Sequence, residues 1–167
     1  MKMYCFDTSG ISNPLELMPD DIYISVWKKV MECIQENRVA VTLEIYEEMT
    51  HIGGTIGTFI GRSKSQMVLD IGDNDWDWGR YADQLRRMQS DHFAFISEYN
   101  GGAKQTICLN DLSVVALAKA LNLPVVSMES STGRSPKHRR IPDICRLEDV
   151  EHLAFNDFLR RERFKFE

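Results

Sequence analysis

No run of about 20 apolar residues, the length a membrane helix needs, occurs in the sequence, so no membrane span is expected. The amino terminus lacks the charged-then-apolar segment that directs secretion. None of the four cysteines (Cys5, Cys33, Cys108 and Cys145) sits in a C-x-x-C pair, which argues against a zinc or dithiol motif. Cys5, Cys108 and Cys145 lie among apolar neighbours and are expected as buried thiols. These absences describe a soluble cytoplasmic protein of a reducing compartment. Positive charge is scarce too: 20 Lys and Arg against 25 Asp and Glu leave a net charge of -5. Nucleic-acid-binding modules are usually basic. A plain binding module is therefore disfavoured, but a nuclease whose acids hold cations is not. Internal repeats and low-complexity segments are missing as well.

What is present is an ordinary globular composition, 43% hydrophobic and 27% charged. The length suits one domain over residues 1–167 with a sizeable core. The sequence is organised around Met3-Tyr4-Cys5-Phe6-Asp7-Thr8-Ser9-Gly10, an apolar run cut short by an acid, two hydroxyls and a glycine. Such a run reads as a buried strand. Ligands collect at the carboxyl ends of strands in open α/β sheets, and Asp7 stands at that end.

Further along, Ile22, Val26, Val30 and Ile34 recur at fours and predict a helix from about residue 21 to Asn37. Val39 to Thr42 reads as a second strand, and Thr42 as the N-cap of a helix over 43–52. On that helix Glu48 falls about 60° from the buried Ile45, so it is the acid nearest the inward face. The four glycines of 53–61 predict a loop. Residues 70–79 carry Asp70, Asp73, Asp75 and Asp77 with Trp76 and Trp78. Their D-x-D-x-D core has the outline of a calcium loop, but the glycine arrives one position late and the twelfth residue is Gln84, not Glu. A surface turn and helix start is the better reading. Tyr81, Leu85, Met88, His92, Phe95 and Tyr99 predict one long helix, with His92 as a packed or hydrogen-bonded core residue. Asn110 is an N-cap candidate for a helix to about Leu121, with Asp111 as its first residue and Leu109 stapled to Val114. Residues 123–129 read as a strand ending in Ser127 and Glu129, and 130–140 as a basic loop. Ile141-Pro142-Asp143-Ile144-Cys145 reads as an edge strand, where proline is tolerated, and 147–164 as a last helix. Strands alternating with helices imply a mostly parallel sheet covered on both faces.

Four acids are then expected at one edge of that sheet. Asp7 and Glu129 follow strands, Asp111 opens a helix, and Glu48 lies about 7 Å into its helix. Left bare, such a cluster repels itself and raises pKa values. Mg²⁺ or Mn²⁺ would stabilise it, and such ions activate water and steady a leaving phosphate oxygen. Each acid also has a duller explanation. Asp111 can complement its helix dipole for about 0.3–1 kcal/mol, Glu48 can be solvated, and Asp7 can cap its own turn.

Several segments together resemble the PIN domain, and more closely the single-domain ribonuclease toxins of type II toxin–antitoxin pairs. They are Tyr4-Cys5-Phe6-Asp7-Thr8-Ser9, Ile45-Tyr46-Glu47-Glu48-Met49, Asp111-Leu112-Ser113-Val114-Val115-Ala116-Leu117-Ala118 and Val125-Val126-Ser127-Met128-Glu129. Ile141-Pro142-Asp143-Ile144-Cys145 resembles one uncharacterised branch of these proteins. The resemblance implies a three-layer α/β/α PIN-like fold with a central, mostly parallel sheet. It implies cleavage of RNA with Mg²⁺ or Mn²⁺ held by Asp7, Glu48, Asp111 and Glu129, with Ser9 orienting an acid or a metal-bound water. It also implies a small antitoxin protein and a homodimer. Two positions depart from the usual pattern: Ser127 stands where Thr is usual, and Glu129 where Asp is common. The middle, residues 53–100, is longer than in minimal toxins and matches none of the family's motifs. Arg134, Lys137, Arg139 and Arg140 form the densest basic cluster, with His138 among them. They are the candidate RNA contacts, the alternative being a solvated loop. Two other functions compete: a non-catalytic PIN-like interaction protein, and a metal-dependent DNA nuclease or phosphatase with a similar crevice.

Overall fold

Tyr4–Phe6 (β1) is apolar and buried along its whole length, so it can only be an inner strand. Val39–Ala40 (β2) pairs with it on one side and Val125–Val126 (β3) on the other, and His152–Leu153 (β4) lies outside β3. The sheet has four strands in the order β2-β1-β3-β4, all parallel. The computed structural model describes residues 1–74, 76–104 and 106–166. Asp75, the middle acid of the 70–79 stretch, lies outside them.

Parallel neighbours need crossovers, and helices supply them. Ser9–Leu17 (α1) and Ile24–Gln35 (α2) lead from β1 to β2. Leu43–Met49 (α3), Gly54–Ile60 (α4), Lys64–Met67 (α5), Trp78–Asp91 (α6) and Leu109–Leu121 (α7) lead from β2 to β3. Ile141–Leu147 (α8) separates β3 from β4, and Phe155–Arg161 (α9) ends the chain. The result is an α/β fold with helices flanking the sheet. The chain moves outward from β1 to β2 and then crosses back to β3 on the other side. The carboxyl ends of β1 and β3 therefore flank a topological switch point, where such sheets open a crevice.

The core runs through α7, whose residues from Leu112 to Ala118 are buried without a break. The expected helices over 21–37, 43–52 and 111–121 appear as α2, α3 and α7, the last beginning two residues earlier, at Leu109. Thr42 caps α3 by accepting the Ile45 N–H (3.4 Å). Ile22 lies before α2 and is exposed, not buried.

Several expectations are corrected. The glycine-rich 53–61 segment is the helix α4, not a loop. The Asp20 carboxylate caps it from a distance by accepting the Ile56 N–H (2.9 Å). Gly57 is needed for close approach, because a Cβ there would sit 1.8 Å from the Ile52 carbonyl oxygen. The long helix expected over 80–99 ends at Asp91. Ile96 turns extended to bridge Ile107, and two 3₁₀ turns, Phe93–Phe95 and Ser97–Tyr99, flank it. Asn100 closes this segment by donating to the Phe93 and Ile96 carbonyls (3.1 and 2.8 Å). Residues 141–145 form helix, not strand. Pro142 sits in the first turn, where its missing N–H is harmless, and Asp143 accepts the Arg140 N–H (3.0 Å). The last helix is shorter than expected, Phe155–Arg161, because β4 takes residues the helical pattern had claimed.

Candidate functional site

Asp7 leaves β1 directly and is 4% exposed. Its backbone N–H donates to the Val126 carbonyl (3.0 Å), which holds it against the end of β3. The next turn starts α1 at Ser9, whose N–H donates to Asp7 Oδ2 (3.0 Å). The Ser9 hydroxyl also donates to Oδ2 and accepts the Met128 N–H (3.1 Å). One oxygen thus ties the acid after β1 to the segment that carries Glu129. Gly10 is required here: a Cβ would lie 2.7 Å from the Val126 carbonyl oxygen.

Glu48 is fixed through both oxygens. Thr8 Oγ1 donates to Oε2 (2.8 Å) and Asn110 Nδ2 donates to Oε1 (2.7 Å). This overturns the reading of Asn110 as an N-cap. The cap of α7 is Cys108, and Asn110 lies inside the first turn, facing α3. Asp111 is the third residue of the helix, not its first. It closes a capping box in which its carboxylate accepts the Cys108 N–H (3.2 Å) and its own N–H reaches Cys108 Sγ (3.4 Å). Glu129 accepts the Ile141 N–H (2.9 Å) and so holds the amino end of α8.

Asp7, Asp111 and Glu129 are all held above the ordinary carboxylate range, for related reasons. Burial raises Asp7 above the usual carboxylate range, against the hydrogen bonds from Ser9, and the charge of Glu48 adds to the rise. Burial carries Asp111 up to about 7, with Asp7 and Glu129 repelling it. Glu129 is raised by burial and by the charge of Asp7. The acids therefore feel one another's charge. Among the described residues none of the four is paired with a cation within 4.0 Å. Buried and half-buried carboxylates without a cation partner suit a hard divalent cation by charge and ligand type. As the side chains stand, however, no group of three or more His, Cys, Asp or Glu among the described residues is arranged to hold a metal ion.

The basic cluster divides. Arg134 and Lys137 are exposed on the 130–140 loop, and Arg140 lies near enough to Glu129 to act on its charge. Arg139 is built into the packing. Its guanidinium lies 3.7 Å from the Phe95 ring centroid and donates to His92 Nδ1 (2.9 Å). Arginine can only donate, so the His92 proton sits on Nε2 and is given to Glu148 Oε1 (2.7 Å). His92 is thus the hydrogen-bonded core residue expected.

Asp143, 1% exposed, was not singled out from the sequence, yet it orders the loop. It accepts from the Ser131 and Thr132 hydroxyls (2.5 and 2.7 Å) and from two backbone N–H groups. Its signal was present, an acid just after a proline at a helix start, but the strand reading hid it. Thr8 was noted only as a neighbour of Asp7. Its link to Glu48 spans 40 residues and leaves no local trace.

All four cysteines are free. Among the described residues no helix is long and apolar enough to cross a membrane. Comparison with curated proteins finds no match. A family model described as "Domain of unknown function (DUF4411)" matches residues 4–166, nearly the whole chain, and the chain belongs to that family.

Proposed function

We propose that this chain is a metal-dependent endoribonuclease whose site is the crevice between the ends of β1 and β3. The observation that carries the reading is the set of partly buried, mutually repelling carboxylates Asp7, Asp111 and Glu129, with Glu48 beside them, at the switch point of a parallel sheet. Asp7, Asp111 and Glu129 would hold Mg²⁺ or Mn²⁺, with Glu48 contributing from α3. When bound, such an ion supplies charge stabilisation and an acidified water. The chain's own residues orient the acids: Ser9 holds Asp7, Cys108 holds Asp111, and Thr8 and Asn110 hold Glu48. Arg134, Lys137 and Arg140 would contact RNA phosphates. The choice of RNA, a toxin role, a small antitoxin and a homodimer rest on the resemblance to PIN-domain toxins. The free thiols fit a cytoplasmic setting.

A second reading has its own support. Each acid already serves the fold, Asp111 in a capping box and Glu129 at the start of α8. A non-catalytic protein could keep them for that reason alone. Incubating purified protein with a mixed RNA pool, in Mn²⁺ or Mg²⁺ and in EDTA, separates the two. The nuclease reading expects cleavage that EDTA stops and that Asp7→Asn reduces by about 10²-fold or more. A folded wild type that cuts nothing with either metal supports the structural reading.

A further inference from the structure

The segment between β2 and α7 builds a second feature, away from the acid crevice. A cleft of about 300 Å³ opens beside the carboxyl end of β2, lined by Trp76, Trp78, Tyr81, Ile71, Glu44 and Asp70 among others. Ile71 is 70% and Trp78 42% exposed, and both border the cleft. The aromatic wall is held in place. The Trp76 indole N–H donates to the Asp70 carbonyl (2.8 Å), and its ring packs on Tyr81 at 5.6 Å. The acids face the same space. Burial and the charge of Glu44 push the Tyr81 phenol up to about 12, which places that carboxylate's field at the ring. Lys64, the one cation among the lining residues, is turned toward the Tyr46 ring, 6.0 Å from its centroid.

Aromatic faces carry negative potential and attract cations, more so when carboxylates stand nearby. A phosphate would meet Glu44 and Asp70, the two acids among the lining residues, and be repelled. We infer that this cleft docks a cationic side chain, arginine or lysine, from a basic segment of a partner protein. The charge of the guanidinium or ammonium meets Glu44 and Asp70, and its flat or methylene surface covers Trp76 and Trp78. The inference is independent of the chemistry proposed for the acid crevice.

Calorimetric titration of the full chain with a hexa-arginine peptide tests it, with hexa-citrulline as the neutral match. The arginine peptide is expected to bind and the citrulline peptide not. Trp78→Ala, at an exposed position opening α6, is expected to weaken binding roughly tenfold, the scale of a lost cation–π contact. Glu44→Gln with Asp70→Asn should weaken it similarly, while Asp21→Asn with Asp149→Asn, outside the cleft, should not. Equal binding of the citrulline peptide, equal loss in both charge variants, or unchanged affinity in Trp78→Ala overturns the inference. So does absence of binding by the arginine peptide. Binding of oligoadenylate that is lost in Trp78→Ala would instead give the cleft to nucleobases and overturn it too.

Discussion

Asp111 shows what burial does to one residue. Its pKa rises from 3.8 to about 7. Between those values the folded chain keeps a proton that the unfolded chain has released, so stability falls as pH rises through that window. Asp7 and Glu129 move in the same direction and add to the fall. In EDTA the melting temperature is expected to drop between about pH 4 and about pH 7, and to drop less in Asp111→Asn. If the crevice takes a divalent cation, Mn²⁺ will restore the melting temperature at the higher pH in the wild type and do less for the variant. A flat wild-type profile in EDTA would contradict the strain assigned to these acids. Gly10 gives a purely steric prediction. Its missing Cβ avoids a backbone oxygen 2.7 Å away, so neither neighbour can rotate aside. Gly10→Ala should cost roughly 1–3 kcal/mol in urea unfolding.

At the level of elements, the tie among α6, α7, α8 and the basic loop is Glu148. Burial alone would raise its pKa, but hydrogen bonds from Arg87 and His92 outweigh that and hold it down at about 2. Lys119 adds its ammonium at 3.6 Å. The stability this acid contributes is present above its ordinary pKa and is lost as pH falls toward 2. Glu148→Ala leaves His92 and Arg87 without their acceptor and is expected to cost about 3 kcal/mol in chemical denaturation. The elements also mark what could be read from sequence. β1, α2, α3 and α7 carry apolar periodicity long enough to register, and Asp7 and Glu129 were legible because they follow strands. α4 was hidden because its cap, Asp20, comes from another segment. α8 was hidden because its Ile-Pro start reads as an edge strand when the proline in fact sits in a helix's first turn, and β4 because His152–Leu153 lacks the apolar run that marks β2 and β3. The holders of Glu48, Thr8 and Asn110, were out of reach for a different reason. Their bonds cross 40 and 62 residues, and only the folded packing of α1, α3 and α7 brings them together.

On the scale of the whole molecule, charge is uneven. An overall balance of -5 contrasts with the basic 130–140 loop, in which Arg134 and Lys137 are exposed and Arg139 is packed against Phe95 and His92. If the proposed ribonuclease reading holds, neutralising Arg134, Lys137 and Arg140 together will weaken RNA binding and flatten its salt dependence, as lost phosphate contacts do. Arg139→Ala should lower stability more than it changes the salt slope, because it loses Phe95 and His92. An unchanged salt slope in the triple variant would remove the loop from the proposed RNA surface. The unbroken burial of α7 reaches further than the core itself. Amide protons from Leu112 to Ala118 should exchange with deuterium only when the entire fold opens, and later than those of the two-residue strands. Those of the 130–140 loop should exchange early. The two acids would then differ in timescale as well as position: Asp111 is carried on the slowest part of the molecule, and Glu129 leads into one of its fastest.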